Sequence, residues 1–313
     1  MNDPDLPRLE KRLGRMHARQ RLGVERDHEA QIFGYGRNFF HFENSRMFAF
    51  AVEYTLKATG LYWRGRRNAS RVTVRRNTVR SERLPEVFDG FTVLQLSDLH
   101  VEMSLRAMAR VRELITGLDY DICVLTGDYR GPTCGPHGPA VGVVAELLPA
   151  IGAPVFGILG NHDTVRMVPE LEDLGIRMLM NEAEAIEREG ARIHVVGVDD
   201  PHFYRADNIE KAAADVPHDA FSILLAHTPE IYRQAAHAEF DLMLCGHTHG
   251  GQICLPGGFP LTLDSALPRR YGAGAWKHHE MHGYTSVGAG TSVAPVRFNC
   301  PPEITLHRLE RAG

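Results

Sequence analysis

A chain of 313 residues, 43% hydrophobic and 24% charged, has apolar content for a sizeable core in one large domain, with or without an extension. Its formal net charge of −4 supplies no general attraction for nucleic acid, so no nucleic-acid partner is expected, although basic residues crowd the N-terminal quarter. Five cysteines at unrelated spacings, with no CxxC pair and no apolar leader, exclude a zinc-ribbon or dithiol redox reading and point to the cytoplasm.

Residues 1–68 read as a helical, basic extension. Leu9, Leu13 and Met16 recur at helical spacing among Arg8, Lys11, Arg12, Arg15 and Arg19. A second helical run covers Ser45 to Leu61, with Phe48, Val52 and Leu56 on one stripe. Its apolar stretch is broken by Glu53 and is too short to span a bilayer. Arg64, Arg66, Arg67, Arg71, Arg75 and Arg76, beside Phe39, Phe40, Phe48, Tyr62 and Trp63, allow two readings. One is a basic, partly apolar platform on the inner face of an anionic membrane. The other is a helical pair packed on the main body with its arginines in solvent. The alternation Val72-Thr73-Val74 begins a strand, and residues 69–313 form the main domain.

From Phe91 the pattern changes. Short apolar runs each end in polar residues able to bind a ligand: FTVLQL before Asp98 and His100, DICVLT before Asp128, and APVFGIL before Asn161, His162 and Asp163. RIHVVG precedes Asp199, FSILLA precedes His227, and DLMLC precedes His247 and His249. Runs this short and apolar read as buried strands, inside which Cys123 and Cys245 are reduced thiols. Helical patterns at Ser104–Leu118, Gly142–Leu148, Pro169–Leu174 and Ile209–Asp215 separate them, which indicates an α/β architecture. In such sheets sites form at the carboxyl ends of strands, so these residues converge.

Singly, an Asp-x-His or a Gly-Asp is weak, since strand-end caps and turns use the same residues. Jointly they suit a dinuclear site, which needs carboxylates to neutralise two dications, imidazoles to set affinity and one bridging group. Asp98 and His100 can chelate one ion, because alternate residues past a strand end project the same way. Asp128 sits where an oxygen could bridge, Asn161 offers an amide oxygen, and His227, His247 and His249 complete the set. Gly127, Gly160 and Gly246 let the backbone turn tightly beside them. His278, His279 and His282 read as a solvated loop cluster, Asp199 and Asp200 as supporting or turn residues, and Arg297 as a phosphate contact or a surface arginine.

The motifs Asp-x-His, Gly-Asp, Gly-Asn-His-Asp, a lone His and Gly-His-x-His, in this order over Phe91 to Leu309, resemble the calcineurin-like metallophosphoesterase superfamily. The resemblance implies a four-layer α/β/β/α sandwich. It implies two divalent cations (Mn²⁺, Fe²⁺ or Zn²⁺), one held by Asp98, His100, Asp128 and His249, the other by Asp128, Asn161, His227 and His247. It makes His162 the catalytic histidine. The family's serine/threonine phosphatases carry Gly-Asp-x-x-Asp-Arg-Gly, whose second Asp supports that histidine; Gly127-Asp128-Tyr129-Arg130-Gly131 lacks it. A protein-phosphatase activity is therefore not expected, and the group that orients His162 stays open. His-Thr-His-Gly-Gly-Gln, Gly-Ala-Gly-Thr-Ser and Pro-Val-Arg-Phe resemble a bacterial envelope-associated subfamily that includes a UDP-2,3-diacylglucosamine pyrophosphatase. The implied substrate is a phosphodiester or pyrophosphate, lipid-linked in the leading reading. A phosphodiesterase of soluble substrates and a non-catalytic metal-binding scaffold are the alternatives.

Overall fold

The computed structural model describes residues 4–33, 46–263, 265 and 267–313; Phe39 and Phe40 lie outside them, as does the side chain of Phe48. The chain opens with helices α1 (Leu6–Leu13), α2 (Arg15–Phe33), α3 (Arg46–Ala58) and α4 (Tyr62–Ala69). Strand β1 (Thr73–Ser81) follows. The apolar runs then fold as expected into β2 (Thr92–Leu96), β3 (Ile122–Thr126) and β4 (Val155–Ile158), with α5 (Leu105–Ile115) and α6 (Gly138–Leu147) between them. Ser104 caps α5, its hydroxyl accepting from the Ala107 amide. After α7 (Met167–Asp173) come β5 (Arg177–Met178), β6 (Glu182–Arg188) and β7 (Ala191–Gly197). Then come α8 (Ile209–Ala212), β8 (Phe221–Leu225), α9 (Tyr232–His237) and β9 (Leu242–Cys245). A ribbon, β10 (Cys254–Leu255) with β11 (Phe259–Pro260), and a hairpin, β12 (Gly274–His278) with β13 (Met281–Thr285), precede β14 (Glu303–Arg311).

The described residues form two six-stranded sheets, ordered β1-β14-β2-β3-β4-β5 and β12-β13-β9-β8-β7-β6. β2, β3 and β4 run parallel, as do β7, β8 and β9, so the expected strands divide evenly between the sheets. Alternation along each strand builds the layers. Val93, Val124, Ile158, Ile193, Ile223 and Leu244 fill the space between the sheets. Leu94, Leu96, Cys123 and Leu125 face the opposite way, under α5, α6 and α7. Val196, Leu224 and Met243 meet α8 and α9 on the far side. The result is a four-layer α/β/β/α sandwich. Polar contacts also cross the middle: Gln95 donates to the Cys245 carbonyl at 3.0 Å, tying β2 to β9, and the Tyr284 hydroxyl of β13 donates to Glu303 of β14 at 2.9 Å.

The first helices do not follow the expected stripe. Leu9 and Leu13 are buried, but Met16 is 79% exposed. Gly14, with φ of 84°, ends α1 and restarts the helical phase, so Ala18 and Leu22 take the buried face of α2. These four residues join the cluster beneath α5 to α7. Nor are all the arginines solvated: Arg12 is largely buried against Glu172 and Glu182 at 2.6 and 2.7 Å, while Arg8 pairs with Asp173 at the surface. His278 and His282 lie in the strands of the hairpin rather than in a loop, with His279 at its turn.

Candidate metal centre

β2, β3 and β4 of one sheet and β8 and β9 of the other end at a common edge, where Asp98, His100, Asp128, Asn161, His162, His227, His247 and His249 are all buried. The loops are stitched by backbone bonds: the Asp98 amide to Gly127, the His100 amide to Asp128, and the Gly246 amide to His227. Asp98, His100, Asp128, His247 and His249 have φ of 49°, 38°, 57°, 71° and 49°. A left-handed backbone costs a non-glycine residue about 1–2 kcal/mol, and such strain gathers where side-chain aim matters more than local comfort. Gly246 answers a second constraint, since a Cβ there would collide with the Asp98 carboxylate and the Ser97 hydroxyl.

The polar atoms fall into two groups. In the first are Asp98, His100 and His249; in the second, Asp128, His227 and His247, each set within 4.8 Å. His100 Nε2 lies 3.0 Å from His249 Nε2. Asn161 Oδ1 joins the second group, 2.9 Å from both His227 Nε2 and His247 Nδ1. Asp128 Oδ2 reaches both groups, 3.6 Å from His100 Nε2 and 3.3 Å from His227 Nε2.

These atoms fit divalent cations. His227 donates Nδ1–H to the Thr126 carbonyl at 2.9 Å, which turns Nε2 toward two acceptor oxygens, Asn161 Oδ1 and Asp128 Oδ2. Acceptors facing one another need a positive charge between them. The buried Nε2 of His247 has no hydrogen-bond partner among the described residues. Burial would lower the His227 pKa, yet the Asp128 carboxylate outweighs it and holds the ring well above its ordinary value, so that without a cation a proton on Nε2 supplies the positive charge that a metal would replace. Burial would raise Asp128, yet His227 and His162 hold it well below the usual carboxylate range. Burial lowers His100 to about 4. It acts with His202 on His247 and with His100 on His249, keeping all three imidazoles in the neutral form that binds metals.

His162 lies between the groups, its ring 4.9 Å from that of His100 and its amide donating to Asp128 Oδ1 at 2.9 Å. Thr133 Oγ1 is 3.1 Å from His162 Nδ1, and Arg130 Nε donates to the His162 carbonyl. Thr133, two residues past the position of the phosphatase pattern's second Asp, is thus the side chain that faces Nδ1; a lone threonine in a loop gives no sequence signal. Asp163 accepts from the amides of Asp128, Tyr129, Arg130 and Gly160 at 2.8, 3.0, 3.3 and 2.9 Å, stapling two of the loops. Its place at the end of Gly-Asn-His-Asp was the clue.

Arg297 is neither a surface residue nor a phosphate contact. Fully buried, it donates to the carbonyls of Val287, Gly288 and Gly290 at 2.6, 3.2 and 2.7 Å, beside His249. The Gly290 amide in turn donates to the Asp98 carbonyl, so Arg297 braces both ends of the first group. Asp200 folds the turn after β7 by accepting from the Phe203 and Tyr204 amides, each at 2.7 Å. Asp199 receives His17 at 2.8 Å and Arg21 at 3.3 Å from α2.

The calcineurin-like phosphoesterase family model matches residues 91–251. The metallophosphoesterase YkoQ of Bacillus subtilis is 30% identical, over 69% of this chain and 83% of its own length. The metallophosphoesterase YkuE of the same species is 31% identical, over 75% and 84%. The phosphodiesterase YaeI of Escherichia coli is 32% identical, over 70% and 82%.

Proposed function

Since the chain belongs to the calcineurin-like phosphoesterase family and is a metallophosphoesterase, we propose that it hydrolyses phosphodiester or pyrophosphate bonds with two divalent cations, Mn²⁺, Fe²⁺ or Zn²⁺. The observation that carries this reading is Asp128 Oδ2, one oxygen within 3.6 Å of His100 and 3.3 Å of His227. Asp98, His100, Asp128 and His249 hold one cation, and Asp128, Asn161, His227 and His247 the other. When bound, the cations supply Lewis acidity and an activated water.

The protein's own groups do the rest. His162 holds a proton at the open side of the site for the leaving oxygen, and Thr133 sets the direction of its ring. Asp163 keeps the Asp128 and His162 loops in register, so the site needs little rearrangement during turnover.

In the same reading the substrate is lipid-linked, such as UDP-2,3-diacylglucosamine, and the enzyme works in the cytoplasm at the inner face of the membrane, with residues 1–68 as an extension of a 69–313 catalytic domain. Support comes from exposed Trp63 and Leu105, which line a cavity of about 570 Å³ together with Arg66, Arg67 and Arg106. Arginines attract anionic headgroups, and each buried acyl methylene contributes about 0.8 kcal/mol. Among the described residues no helix is long and apolar enough to cross a membrane.

A metal-supplemented comparison of a monoester, a chromogenic diester and UDP-2,3-diacylglucosamine tests the assignment. The diester or pyrophosphate should be cleaved faster; a clear monoester preference would overturn it. Because α1 and α2 complete the core, the surface is better tested by the paired change W63S and R66E than by deletion. Activity on the lipid should fall more than activity on the chromogenic diester, and equal effects would reduce the surface to a structural role.

A further inference from the structure

Between α2, the loop after β3 and the turn after β7 lies a cavity of about 320 Å³. Its inner wall is Arg130 and Thr133, the residues hydrogen-bonded to His162. Its far wall is Phe203 and Tyr204, which directly follow His202, whose ring stands 4.2 Å from that of His247. Glu25 and Arg26 of α2 close the third side. The cavity therefore borders the residues that hold His162.

Its charge is unbalanced. Glu25 is engaged by Arg21 at 2.6 Å, the Thr164 hydroxyl at 2.6 Å, the Val165 amide at 2.7 Å and Arg166 at 3.5 Å. Arg130 is committed to the carbonyls of His162, Thr133 and Gly135. His137 faces Glu170 at 3.0 Å. Arg26 makes no ion pair or hydrogen bond with the described residues, and it is exposed at the cavity wall. The helix carrying it is fixed, with Arg21 bonded to Asp199 and to the Asp163 carbonyl. A guanidinium on this wall, with no acceptor among the described residues, is suited to a carboxylate or phosphate that arrives with the substrate.

We propose that this cavity is a subsite for a second anionic group of the substrate, beyond the reacting phosphorus, and that Arg26 is the residue that selects for it. The proposal rests on the phosphodiester reading above and goes beyond it, because it makes α2 a determinant of specificity. An extension that packs like a structural brace thereby takes part in choosing what is cleaved.

The test uses two matched chromogenic diesters on the metal-loaded full chain: bis(4-nitrophenyl) phosphate, and the same diester with one nitro group replaced by a carboxylate. Relative to wild type, R26A should lower the kcat/KM ratio of carboxylated to neutral diester about tenfold, mainly through KM. R26K should recover part of that, and R26E should invert the preference. A ratio unmoved by R26A, whether both activities fall alike or neither does, overturns the subsite. If the wild type cleaves neither diester, the phosphodiester reading fails, and binding still decides the subsite. By calorimetry, 4-carboxyphenyl phosphate should bind the Mn²⁺-loaded protein more tightly than phenyl phosphate, an advantage that R26A removes. Equal affinities would refute the subsite.

Discussion

Arg21 donates to the main-chain oxygen of Asp163 across 3.2 Å, joining the N-terminal helix α2 to the residue that follows His162. The same guanidinium meets Asp199 at 3.3 Å and Glu25 at 2.6 Å, and its central carbon lies 3.4 Å from the Tyr204 ring centroid. An arginine without solvent exposure persists because acceptors and an aromatic face surround it.

Replacing Arg21 with Met leaves Asp199 buried with His17 as its one side-chain partner among the described residues. A loss of about 3–5 kcal/mol in urea unfolding is expected, as for other broken buried pairs. R21K should lose less. In the folded fraction kcat should fall more than KM rises, because the His162 loop loses a tether. Wild-type stability in R21M would contradict the latch.

The same contact makes α2 sensitive to acid. Burial would raise the Asp199 pKa, but Arg21 and His17 outweigh it and hold the carboxyl below its ordinary value. Its contribution is therefore complete above the unfolded value of about 3.9 and is lost as pH falls through the depressed folded value. Hydrogen exchange across residues 6–25 should accelerate below about pH 4 relative to β8 and β9. D199N should flatten that difference; parallel acceleration of helix and strands would rule out a local latch.

Asp128→Ala should lose more bound metal than Asn161→Ala, because the Asp128 oxygen faces both groups while Asn161 faces one. Elemental analysis after gel filtration reads this directly. Equal metal loss, or a single ion in fully loaded wild type, would remove Asp128 as the bridge.

His162→Ala should retain metal and lose turnover on the order of a hundredfold. Thr133→Val, which removes the hydroxyl facing Nδ1 at nearly constant volume, should cost about tenfold in kcat and displace the histidine limb of the pH–rate profile. A Thr133 variant with unchanged kcat and profile would show that another group orients the ring.

The fold was legible where hydrophobicity and chemistry repeat together. Each apolar run from Phe91 on ended in a residue that does lie at the common edge, because parallel strands bring their carboxyl ends to one side. The pairing of β1 with β14 was not legible, since register between distant segments leaves no local trace. Nor was the hairpin around His278 and His282, whose strands are too polar to stand out. Met16 misled because one glycine shifts a helical phase. Thr133 and Arg21 escaped notice because their roles arise from contacts across the fold, not from spacing.

β14 stands between β1 and β2 in its sheet, although it is the last of the described strands in chain order. During synthesis on the ribosome β1 therefore emerges without its neighbour and waits for residues 303–311. At typical elongation rates the interval is on the order of ten seconds or more. The loops bearing the metal-facing residues are all made within it. Vectorial folding thus assembles the chemistry first and closes the sheet afterwards, which leaves β1 a period of exposure to chaperones and proteases.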